Sequence, residues 1–266
     1  MISLNRLGNL GRLANQMFQY ASLKGIAAKN NYQYCIPPKN VFGSVDENVR
    51  KSDTTIYDCF DLSYNFQDIT NYSLISETGF DFDENLFNSC PDNVDLIGYF
   101  QSEKYFKHIE DDIRNDFKFK DHIYEPTKEQ FVNIFGDAEV ISVHIRRGDY
   151  VTNSNHPVQS LEYYKKGLEL LDDNLSVLVF SDDPNWCNEQ DMFSGDRFFV
   201  SETNNSNIDL CLMSLCSYHI IANSSFSWWG SWLAKSKKTI APKNWFGGDC
   251  ASNNTKDLYL NDWIVL

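Results

Sequence analysis

Short apolar runs alternate with segments of helical period along the second half of the chain, and this alternation constrains the fold more than any other feature. Val140–Ile145 is a β-branched run of the kind that makes a strand buried on both faces of a parallel sheet. Residues 177–180, 197–200, 219–222 and 239–241 repeat the pattern, the last closed by Pro242. Between them, Leu161, Tyr164, Leu168 and Leu171 follow helical spacing, as do Ile208, Cys211, Leu212 and Leu215, and residues 226–233 read as a further helix. Strands that alternate with helices predict an α/β unit whose parallel sheet is covered on both sides. In such sheets ligands bind at the carboxyl ends of strands. That places residues 144–150 and 223–227 as walls of one cleft.

The first half carries weaker signals. Residues 2–4 read as a strand, followed by a glycine-bearing loop to Ala14 and a helix over 15–29. Residues 32–90 are polar, dotted with aromatics and without clear period, and no fold follows from them. Residues 102–117 read as helical, and 121–136 as a connector with a short helix. The expected boundary lies near residue 136, giving lobes 1–135 and 136–266. At 266 residues the chain is long enough for two such lobes, each with its own core.

Charge narrows the ligands. Lys and Arg number 23 against 37 Asp and Glu, a net charge of -14. Such a surface repels phosphate backbones and anionic headgroups, which argues against a nucleic-acid or bilayer-surface binder. An anionic small ligand must then be met by a local cluster of Arg. Seven Cys, an odd number without regular spacing, fit a reduced cytoplasmic protein better than a disulfide scaffold. The opening residues lack the apolar core of a signal peptide. Residues 210–234 carry no formal charge, but Ser214, His219, Asn223 and Ser227 interrupt them, so they read as the heart of a soluble domain rather than a membrane span.

The Arg cluster is found at His144-Ile145-Arg146-Arg147-Gly148-Asp149-Tyr150, the end of the first strong strand. Guanidinium matches phosphate oxygens in a bidentate fork and stays charged at any working pH. Strand alternation sends His144 and Arg146 to one side and Arg147 to the other. One Arg can serve a ligand while its neighbour is held by a carboxylate, Asp149 being a natural partner. On spacing alone the pair also fits a surface ion pair that ends a strand. Ser224, Ser225, Phe226 and Ser227 stand between a strand and a helix, where hydroxyls and free N–H groups favour either phosphate binding or plain capping. Trp228, Trp229 and Trp232 make that helix apolar all round, as a buried helix is. Asp209 opens a helix, a favourable place for a carboxylate. Asp182 and Asp183 also fit an ordinary turn. Arg12 and Asn15 flank the first loop-to-helix junction, with Asn15 able to cap the helix.

These blocks together resemble the alpha-1,2-fucosyltransferases of glycosyltransferase family 11. His-x-Arg-Arg-Gly-Asp-Tyr is similar to the family signature, and Gly11-Arg12-Leu13-Ala14-Asn15-Gln16-Met17-Phe18-Gln19-Tyr20-Ala21 looks like its amino-terminal block, with Ala14 where Gly is usual. Phe180-Ser181-Asp182-Asp183, Asp209 with its apolar helix, residues 223–229 and Ala241-Pro242-Lys243-Asn244-Trp245 follow in the family's order. The resemblance implies a GT-B-like fold of two Rossmann-type lobes, an acceptor-side lobe at 1–135 and a GDP-fucose-binding lobe at 136–266. It implies inverting transfer of L-fucose from GDP-β-L-fucose to a sugar hydroxyl, the galactose 2-hydroxyl of a glycan acceptor, with no metal ion and no cofactor beyond the donor. Arg146, His144 and Asp149 carry over as catalytic. Asn15, Arg12, Arg147, Asp209, Ser224, Ser225, Phe226 and Ser227 carry over as donor-binding, with Asp209 reading guanine. A protein of this kind would be cytoplasmic or peripheral at a membrane that carries its acceptor. Two alternatives stay open on the residues: a metal-dependent transferase of another sugar nucleotide using Asp81-Phe82-Asp83, and a non-catalytic sugar-nucleotide or glycan-binding protein.

Overall fold

A computed structural model describes residues 1–39, 55–62 and 72–266. The chain divides into two compact units, Met1–Lys120 with Asn253–Leu260, and Asp121–Ser252 with Asn261–Leu266. Each contains its own parallel sheet.

In the first unit, β1 (Ile2–Ser3) leads through a loop into α1 (Leu13–Lys29) and on to β2 (Tyr34–Cys35). A short α2 (Ile56–Cys59), β3 (Ser73–Ser76), α3 (Glu84–Ser89), β4 (Val94–Ile97) and α4 (Glu110–Asp116) follow. The sheet order is β2-β1-β4-β3. α1 is its central helix, buried at most positions, so its hydrophobic face is too broad to show a clean period. Gly25 lets it approach the chain at Tyr105, because a Cβ there would run into the Tyr105 carbonyl. The polar stretch 32–90 is thus partly built from short strands, while 40–54 and 63–71 lie outside the described residues. The expected helix over 102–117 is instead two 3-10 turns, Glu103–Tyr105 and Lys107–Ile109, followed by α4. Residues Asn253–Leu260 belong here too: Ser102 Oγ donates to the Asp257 carbonyl at 2.7 Å, and Lys104 pairs with the Asp257 carboxylate at 2.5 Å.

The second unit opens with α5 (Asp121–Phe135), 15 residues with Pro126 inside. This moves the boundary from the expected 136 to Lys120/Asp121. Pro removes a helical donor and disfavours helix in the residue before it, which hides α5 in the sequence. In the fold, α5 packs Phe131 and Phe135 against Leu212 and Met213 and so joins the second core.

After α5 come β5 (Val140–Ile145), α6 (Leu161–Leu168), β6 (Ser176–Ser181), α7 (Pro184–Asn188), β7 (Phe198–Val200) and α8 (Ser206–Leu215). Then follow β8 (Tyr218–Ile220), α9 (Ser225–Ala234), β9 (Lys238–Ala241) and β10 (Ile264–Val265). The last of these corrects the expectation that 239–241 ends the sheet, since β10 pairs in parallel with β9 through Ile264 and Ile240.

The sheet order is β10-β9-β8-β5-β6-β7. The chain therefore builds outward from β5 to β7, then returns to the other side of β5 to lay down β8, β9 and β10. That reversal is the switch point of a Rossmann-type sheet, where the loops leaving β5 and β8 diverge and open a crevice. Ile141, Val143 and Ile145 face a core with Tyr163, Tyr164 and Leu168 of α6. Val140 faces the opposite core with α5 and α8. By the same alternation Ser142 and His144 turn to that second side. Trp228, Trp229 and Trp232 are buried, as the sequence predicts. All seven cysteines are free. Among the described residues no helix is long and apolar enough to cross a membrane.

Candidate active site

β5 and β8 carry the two predicted walls to either side of the switch point, and a buried contact joins them. His144 Nδ1 lies 2.8 Å from Ser227 Oγ, with the ring 5.7 Å from that of Phe226. Burial first, and the Arg146 charge second, push the His144 pKa from its ordinary 6.5 to about 3. The imidazole is neutral at working pH and a poor base, which suits it to orienting Ser227 and lining a pocket rather than taking up a proton.

Past Ile145 the chain turns sharply through a 3-10 segment, Gly148–Thr152. The Arg146 side chain is 16% exposed, pairs with Asp149, and sets Nη1 2.7 Å from Asp182 Oδ2. Its guanidinium stands 5.1 Å from the centre of the Tyr150 ring. Arg147 leaves in another direction: its Nε is 3.1 Å from Asp183 Oδ2 and its guanidinium lies 3.9 Å over Trp186. The two side chains part in direction, as strand alternation predicts, but a carboxylate holds each of them, so neither is left unpaired for a ligand as expected. The partners differ, since Asp149 pairs with Arg146, and Asp183 holds Arg147.

On the β8 side, Ser224 caps α9, its hydroxyl accepting from the Phe226 N–H at 3.3 Å. Ser225 and Phe226 are half-buried and Ser227 is buried. Tyr150 Oη donates to the Asn223 carbonyl at 3.2 Å, fastening the post-β5 turn to the post-β8 turn. The buried Asn223 side chain donates 3.0 Å bonds to the carbonyls of Pro157 and Trp245. One amide therefore ties together the loops after β5, β8 and β9. The sequence reading placed Asn223 in a motif but missed this clasp, whose only signal was its place at a strand end.

Asp209 lies in the first turn of α8, the crossover helix between β7 and β8. Ser201 and Thr203 each donate to its Oδ1 at 2.7 Å. Burial nevertheless raises its pKa, the two hydroxyls opposing. A carboxylate held in this state is suited to a ligand that brings N–H donors.

Arg12 and Asn15 belong to the first unit. Helix α1 begins at Leu13, earlier than expected, with Arg12 at the N-cap and Asn15 inside the first turn. Asn15 is therefore not the cap, and its Oδ1 accepts from Gln101 Nε2 at 2.7 Å. Arg12 is exposed and makes no side-chain cap. Ala14 sits in the helix, and the positive φ angles of this loop fall on Gly8 and Gly11, so the departure from the family pattern demands nothing of Ala14. Missed altogether was Glu77, past β3, whose two oxygens accept the Tyr99 and Phe100 N–H groups at 2.8 and 2.9 Å. Burial lifts its pKa to about 7. The Asp81-Phe82-Asp83 tripeptide has other partners: Asp83 caps α3 through the Leu86 N–H at 2.9 Å, and Asp81 pairs with Lys256 at 3.0 Å.

The model of Glycosyl transferase family 11 matches residues 2–266. The chain belongs to this family. Among its relatives, the O-antigen biosynthesis glycosyltransferase WbnK of Escherichia coli is 38% identical over 54% of this chain and 48% of its own length. The alpha-1,2-colitosyltransferase of Escherichia coli is 39% identical over 62% of this chain and 60% of its own. Galactoside alpha-(1,2)-fucosyltransferase 2 of Bos taurus is 28% identical over 85% and 67%. The matches to the two bacterial relatives thus span about half to three-fifths of those proteins. The fold is also that of the NodZ alpha-1,6-fucosyltransferase co-crystallized with GDP, with a TM-score of 0.57 at 14% identity over 91% of this chain and 95% of that one. The GT-B-like α/β expectation therefore stands for this family 11 chain.

Proposed function

We propose that this protein transfers L-fucose from GDP-β-L-fucose, with inversion and without a metal ion, to the 2-hydroxyl of a galactose in a glycan acceptor. The observation that carries this reading is the placement of Arg146 and the N-terminus of α9 on opposite sides of the β5/β8 switch point. In the reaction the acceptor oxygen bonds to the sugar C1 as the bond from C1 to the β-phosphate oxygen breaks, the electron pair of that bond leaving with GDP and the acceptor hydroxyl's proton passing to water. The barrier is the departure of an anionic GDP. Preorganised N–H donors aimed at that charge stabilise it without reorganising. Arg146 supplies a fork, and the Ser225 and Phe226 turn the positive end of a helix. His144 holds Ser227 and stays neutral, and Asp209 takes the guanine N–H groups. The second unit then takes the donor, and the first the acceptor.

The names of two relatives carry the alpha-1,2 linkage, which supports that regiochemistry. The higher identity to the colitosyltransferase, 39% against 28%, favours a second reading in which the transferred sugar is colitose. Incubation with GDP-fucose and a panel of galactose-terminated acceptors, with and without excess chelator, tests all of this. The expected result is GDP release and an alpha-1,2-linked fucoside, unchanged by chelator. Release only from the colitose donor would select the second reading, a chelator-sensitive rate would overturn metal independence, and binding without turnover would indicate a binding protein.

A further inference from the structure

Three carboxylates stand around the turn after β5, and one of them is held differently from the others. Asp182 lies just past β6, whose Ser181 is beside Ile145 in the parallel register. Its Oδ2 is 2.7 Å from Arg146 Nη1, and its Oδ1 accepts the Arg147 backbone N–H at 2.8 Å. A single carboxylate thus grips the side chain of one Arg and the backbone of the next. It fixes both where the chain leaves β5 and where the Arg146 guanidinium points. Asp149, the other partner of Arg146, sits three residues along the same turn with a 54% exposed side chain, against 26% for Asp182.

Gly148 supplies the second observation. A Cβ built there would overlap Asp182 Oδ2. Its φ is not among the positive ones, so the backbone itself would accept alanine. A methyl group there would have to displace this carboxylate from its contacts with Arg146 and the Arg147 N–H. A counter-ion that merely neutralised Arg146 would need neither the backbone N–H nor the reserved room.

We propose, on the fucosyl-transfer reading above, that Asp182 is the positioning residue that holds Arg146 in its diphosphate-binding orientation, and that Gly148 is required because Asp182 occupies the place of its side chain. Asp182 acts through Arg146 and through the turn, without touching the donor.

The test uses the full chain, with GDP affinity from calorimetry and kcat/KM from GDP-fucose turnover. Asp182→Asn keeps the size and an acceptor for the Arg147 N–H but loses the ion pair, and kcat/KM should fall roughly 10- to 100-fold with Tm near that of the wild type. Gly148→Ala should cost a similar factor. In an Asp182→Ala background, where the shorter side chain leaves room for the methyl group, Gly148→Ala should cost little. Adding Asp182→Ala to Arg146→Ala should lower GDP affinity far less than Asp182→Ala does in the wild type, the remainder coming from the turn, a coupling that a merely structural role would not produce. Additive losses in either cycle, a silent Gly148→Ala, or wild-type kinetics in Asp182→Asn would overturn the assignment while leaving fucosyl transfer intact. A wild-type protein that neither binds GDP nor turns over GDP-fucose would overturn both.

Discussion

His144 Nδ1 and Ser227 Oγ meet at 2.8 Å in a buried contact that joins the end of β5 to the first turn of α9. It keeps the Arg-bearing turn and the helix N-terminus in register across the switch point. His219, on β8, is likewise buried and held at about 4. For both residues the unfolded chain takes up a proton as pH falls below 6.5, whereas the folded chain does not until about 3 for His144 and about 4 for His219. Stability therefore rises with pH across that window and is lost on acidification.

Going from pH 7 to pH 5 should lower the unfolding free energy of the second unit by about 2 kcal/mol for each of these histidines, from 1.4 kcal/mol per pH unit below the ordinary value. Denaturant titrations at the two pH values measure it. His144→Gln should shrink the pH 7 to pH 5 difference, whatever its own effect at pH 7. An undiminished difference in that variant would place a proton on the folded imidazole and contradict its neutrality.

Arg146→Lys should lower kcat/KM for GDP-fucose by roughly 100-fold, the weight of a charged hydrogen bond and the lost fork. Lys presents one point charge where Arg146 faces both Asp149 and Asp182. The loss should appear in GDP affinity as well as in turnover. Near-normal kinetics in this variant would remove Arg146 from the diphosphate site.

Asp209→Asn should move stability and binding in opposite directions. Burial raises the Asp209 pKa above its ordinary value, so at neutral pH the ionised form costs the fold stability. Asn keeps an oxygen for the Ser201 and Thr203 hydroxyls and removes the charge. Tm should rise, while GDP affinity falls roughly tenfold through loss of a charged acceptor. Unchanged GDP affinity would show that Asp209 does not face the base.

The second sheet was legible because a strand buried on both faces is a contiguous β-branched run, as in Val140–Ile145, and because the Arg pair follows such a run directly. The pairing of Arg146 with Asp182 was not legible. It depends on the β5 and β6 register, which sets Ile145 beside Ser181, and no local spacing reports that. β1, β2 and β10 are two residues each, too short to carry a period. α5 was hidden by Pro126, and the start of α1 by Arg12, a residue that is no usual cap.

That early start of α1 leads to a pair of opposed expectations in the amino-terminal block. Gly11 has φ +79, and a Cβ there would collide with the Asn15 side chain, which holds Gln101. Gly11→Ala should therefore cost about 2 to 3 kcal/mol, from left-handed strain of about 1 to 2 kcal/mol and the displacement of Asn15. Ala14 lies inside the helix at 4% exposure. Ala14→Gly, which restores the usual family residue, should destabilise by about 1 kcal/mol, because it removes a buried methyl group and widens the freedom of the unfolded backbone. Unfolding midpoints of the two variants distinguish a loop shaped by Gly11 from one shaped at position 14. A stabilising Ala14→Gly would show that position 14 prefers glycine, and a Gly11→Ala variant as stable as the wild type would show that Gly11 does not shape the loop.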